Sequence, residues 1–82
     1  MKAKIYISYK EGILDPQGKT VNNALGAIGL TDINSVRIGK FIEMDIKESN
    51  YEKARDIAEE SCRKLLANPN TETYTYEIVE EK

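Results

Sequence analysis

Three runs of alternating apolar and polar residues, separated by two runs with helical spacing, constrain this chain more than any other feature. From Lys2 to Lys10, Ala3, Ile5, Ile7 and Tyr9 alternate with Lys2, Lys4, Tyr6, Ser8 and Lys10. Period two marks a strand with one buried face. From Asn34 to Lys47 the row Val36, Ile38, Lys40, Ile42, Met44, Ile46 repeats the pattern. That run is long for one strand, and its phase survives the charge at Lys40, so a bend or interruption is expected near Gly39-Lys40. The third run, Glu72 to Val79, sets Tyr74, Tyr76 and Ile78 against Thr73, Thr75 and Glu77.

The two intervening segments carry helix signals. Asp15 is a suitable N-cap, Pro16 suits the first helical position, and Val21, Ala24, Leu25 and Ile28 form one apolar face. Gly29 can take the positive φ of a helix ending, with Leu30 returning to Leu25 in a Schellman motif. Ser49-Asn50-Tyr51-Glu52 reads as a capping box with Ser49 at its head. Behind it, Ala54, Ile57, Ala58, Cys62 and Leu65 share a face, and Glu59 and Glu60 precede Arg63 and Lys64 by four. Asn68-Pro69 ends that helix. The order β-α-β-α-β predicts an α+β fold: a small, mainly antiparallel sheet with a long, interrupted middle strand and two helices on one face. The uncovered face would show Lys4, Tyr6, Arg37, Phe41, Thr73, Thr75 and Glu77, and its two rings suit a dimer contact. With 82 residues the chain is read as a single domain, residues 1–82.

Composition narrows the function. There is no His, which removes the usual general base at neutral pH and the commonest metal ligand. The single Cys62 excludes an internal disulfide and a multi-cysteine metal site, and its place on an apolar stripe marks it as a core thiol rather than a nucleophile. Twelve basic against fourteen acidic residues give a net charge of -2, without the basic excess usual in nucleic-acid binders. No apolar run is long enough for a signal peptide or a membrane span, so a cytoplasmic protein is expected, with neither nucleic acid nor membrane as partner. The five glycines form no phosphate-binding fingerprint, and the acids Glu52, Asp56, Glu59 and Glu60 read as a solvated helix face.

Three stretches at element boundaries exceed what folding needs: Leu14-Asp15-Pro16-Gln17-Gly18, Val36-Arg37-Ile38-Gly39-Lys40 and Leu65-Leu66-Ala67-Asn68-Pro69. In that order and spacing they resemble the PurS family, the small subunit of phosphoribosylformylglycinamidine synthase, over essentially the whole chain. The resemblance implies a complex that makes formylglycinamidine ribonucleotide from formylglycinamide ribonucleotide, ATP and glutamine in de novo purine biosynthesis. A glutaminase subunit releases ammonia and a large ATP-dependent synthetase subunit uses it. Proteins like this one form dimers, bridge those two subunits and carry no catalytic residues. The resemblance therefore implies no catalytic residue, metal or cofactor on this chain; ATP, Mg and glutamine are used by the complex. Arg37, Lys40, Gln17, Phe41 and Tyr6 are expected at a dimer or partner interface. Asp15, Pro16, Gly18, Gly29, Gly39, Asn68 and Pro69 are expected to shape caps and turns. The alternative is a free-standing regulatory module that binds a small molecule between protomers.

Overall fold

The computed structural model of the chain describes residues 1–80. Strand β1 (Lys2–Tyr9) leads to helix α1 (Pro16–Ala27), strand β2 (Lys40–Asp45), helix α2 (Tyr51–Ser61) and strand β3 (Glu72–Val79). β1 lies at the centre of a three-stranded sheet of order β2-β1-β3, antiparallel to both neighbours. Register follows the apolar rows: Ile5 stands between Ile42 and Tyr76, and Ala3 between Met44 and Ile78.

α2 packs on that face over β1 and β3. Ala54, Ala58 and Cys62, four residues apart, are each 0% exposed and pack with Ala3, Ile5 and Ile7. Small side chains on the helix let its backbone sit close to the sheet, while β-branched strand residues fill the pleat. Burying an Ile side chain is worth roughly 1.5–3 kcal/mol, so this short row holds much of the fold.

The helix α2 opens one residue later than the capping-box reading places it. Asn50, not Ser49, is the N-cap; its side-chain oxygen accepts from the Lys53 N–H at 3.1 Å. The carboxylate of Glu48 then accepts from the Asn50 N–H at 3.0 Å, a service expected of Glu52. α2 ends in a π-helical turn, Cys62–Leu66, in which the Ala67 N–H donates to the Cys62 carbonyl at 3.0 Å. The wider turn inserts a residue and shifts the phase. Leu65, expected on the buried stripe, is 82% exposed, while Ala67 is buried.

α1 differs more. Its caps are as the sequence predicts. The Asp15 carboxylate accepts from the Gly18 N–H at 2.9 Å. At the far end Gly29 takes φ 95°, with Gly29 N–H donating to the Gly26 carbonyl (3.1 Å) and Leu30 N–H to the Leu25 carbonyl (3.0 Å). The expectation that both helices cover one face of the sheet holds only for α2. α1 makes no extended packing with any strand, and Ile28 and Leu30 on its apolar side are exposed. α2 itself packs over β1 and β3 and makes no extended packing with β2.

The middle run is interrupted where expected. Residues 34–39 are irregular and β2 begins at Lys40. A Cβ at Gly39 would meet the Ile7 carbonyl oxygen at 2.4 Å, so this close crossing needs glycine.

Candidate functional site

The three boundary stretches meet at one corner of the molecule, beyond the end of β1 and at the root of α1. Asp15 joins the first two. One carboxylate oxygen caps α1 through Gly18, and the other accepts from the Ile38 N–H at 2.7 Å. Gly18 is buried against the second stretch: a Cβ there would lie 2.1 Å from the Val36 carbonyl oxygen. The Arg37 guanidinium donates to the Tyr9 carbonyl at the end of β1. That places Arg37 in the irregular segment rather than on the open sheet face, because β2 starts only at Lys40. The Asp15 carboxyl is held below its ordinary value first by the Gly18 N–H, then by that of Ile38.

Lys40 and Glu72 join the second and third stretches. Each begins an edge strand and each breaks an apolar row. Lys40 stands opposite Ile7 and Glu72 opposite Tyr9. Their side chains pair across β1 at 3.6 Å, with Glu72 12% and Lys40 62% exposed. The Glu72 carboxylate also accepts from the Asn68 N–H at 2.8 Å, and the Glu72 N–H donates to the Asn68 carbonyl at 2.7 Å. Lys10 donates through Nζ to the Pro69 carbonyl at 2.7 Å. Asn68 and Pro69 lie in the turn that leads into β3. Glu72 and Lys10 are the participants that sequence reasoning missed. An acid heading the Tyr74–Tyr76–Ile78 row was the available sign, matching the misfit base at Lys40.

Gln17 lines a small cleft at this corner with Ile38, Gly39, Lys40 and Glu72. Tyr6 and Phe41 lie on the open face of the sheet, directly opposed in register, with ring centroids 5.1 Å apart. Tyr6 and Lys40 border one shallow hollow. Pro16 begins α1 exposed, and Gly29 lies at the opposite end of that helix, away from the corner.

On the covered face, Tyr74 donates to the Glu59 carboxylate at 2.9 Å, so Glu59 is engaged there rather than on the solvated helix face. That bond raises the Tyr74 phenol above its ordinary value. Burial raises the Cys62 thiol, and the Glu59 charge adds to it. A thiol so placed keeps its proton, which accords with a core thiol rather than a nucleophile.

These features define a class: a small α+β domain whose polar corner ties its own segments together and whose first helix presents apolar side chains outward. Comparison with known proteins gives the family. The family model PurS, described as phosphoribosylformylglycinamidine (FGAM) synthase, matches residues 2–80. The chain is 44% identical to the phosphoribosylformylglycinamidine synthase subunit PurS of Bacillus subtilis (strain 168), over 96% of this chain and 93% of that one. Its fold superposes on the crystal structure of Methanocaldococcus jannaschii PurS with a TM-score of 0.88, at 36% identity, covering 99% and 98% of the two chains. A chain in the structure of PurLQS from Thermotoga maritima matches with a TM-score of 0.84, at 32% identity and 93% coverage of each. The chain belongs to the PurS family.

Proposed function

We propose that this chain is a non-catalytic accessory subunit of phosphoribosylformylglycinamidine synthase in de novo purine biosynthesis. It acts in the cytoplasm as a homodimer or higher oligomer and bridges the glutaminase and ATP-dependent synthetase subunits. One observation carries the reading. Leu14, Ile28 and Leu30, on and beside a helix that stands off its own sheet, are 70%, 73% and 52% exposed. Such a surface is stable in water only at a cost that burial against protein removes. The family relation supplies the kind of assembly. PurS of M. jannaschii is described as one of the subunits of formylglycinamide ribonucleotide amidotransferase in the purine biosynthetic pathway.

On this reading the chain holds two larger active sites in register. Ammonia released from glutamine at one then reaches the ATP-activated amide of formylglycinamide ribonucleotide at the other. Arg37, Lys40, Gln17, Tyr6 and Phe41 contribute at the contacts between chains. The chain itself holds no ATP, Mg or glutamine.

The test is amidotransfer by the synthetase and glutaminase subunits, with and without this protein. Glutamine-dependent product is expected only when all three are present, while ammonia-dependent product needs the synthetase alone. Full glutamine-dependent activity without this chain would overturn the reading.

A further inference from the structure

We draw no further inference here: the strongest candidate, the open face of the sheet around the stacked rings of Tyr6 and Phe41, carries nothing, because nothing in the structure shows what covers it.

Discussion

Helices α1 and α2 have comparable apolar spacing and cap signals, yet they have opposite fates. α2 presents Ala54, Ala58 and Cys62, all fully buried, to a row of strand residues that they fit. α1 presents larger groups, Val21 and Ile28, and both remain exposed. An apolar stripe states that a helix has something to bury; it does not state against what. Residue size gives the finer signal. A helix that must approach a sheet closely uses small residues, and one that keeps bulky residues on its stripe has a different surface to meet.

The largest effect should come from setting the two faces against each other by mutation. Ile5→Ala removes a fully buried side chain beneath α2 and is expected to cost about 2–5 kcal/mol in urea unfolding. Ile28→Ser at the end of α1 is expected to change the stability of the dilute protomer by less than about 0.5 kcal/mol. It should move self-association to higher protein concentration in sedimentation. If Ile28→Ser were to cost as much as Ile5→Ala, α1 would be core, with folding and assembly a single event.

A smaller contrast lies within the end of α2. Ordinary helical spacing puts Leu65 on the buried face, but the π-helical turn brings Leu66 toward it instead. Leu66 packs partly against the core, whereas Leu65 is 82% exposed. Leu66→Ala should therefore destabilise by about 1–2 kcal/mol, and Leu65→Ala by less than about 0.5 kcal/mol. The reverse order in thermal unfolding would mean that the turn is α-helical in solution.

What the sequence made legible was local. Alternation located the strands, and Asp15-Pro16 and Gly29 fixed both ends of α1, down to the hydrogen bonds of the Schellman ending. Each is decided by residues within a few positions of each other. The placement of α1 was not legible, because an apolar stripe does not say which surface it will meet, and α1 packs on none of the three strands. The π-helical turn was hidden for a similar reason. Its extra residue lets Leu66 and Ala67 reach the core, and no residue type announces it. At the corner, Asp15 was legible as a cap but not as a partner of Ile38, since a backbone N–H has no signature in sequence. Lys40 stood out as a misfit in its row, and its partner Glu72 was the matching misfit that the strand pattern concealed.

The smallest effect concerns pH and distinguishes the two caps. The Asp15 carboxyl lies below its ordinary 3.8, first through the Gly18 N–H, then that of Ile38, with Arg37's charge assisting weakly. In the unfolded chain it returns to about 3.9. A carboxyl lowered by folding contributes stability that is complete above the unfolded value and is lost as pH falls through the folded value. The stability difference between the protein and Asp15→Asn should thus be constant from neutrality down to about pH 5 and shrink below about pH 4. Glu60, lowered first by its hydrogen bond with Lys64, titrates in the same range but is common to both proteins and cancels. Asn50→Ala at the α2 cap removes a neutral acceptor, so its cost should not vary over that range. Equal pH profiles for the two cap variants, read from urea unfolding between pH 3 and 7, would show that the charge of Asp15 contributes nothing at the joint. A profile that bends for Asp15→Asn alone would place the charge at the root of α1.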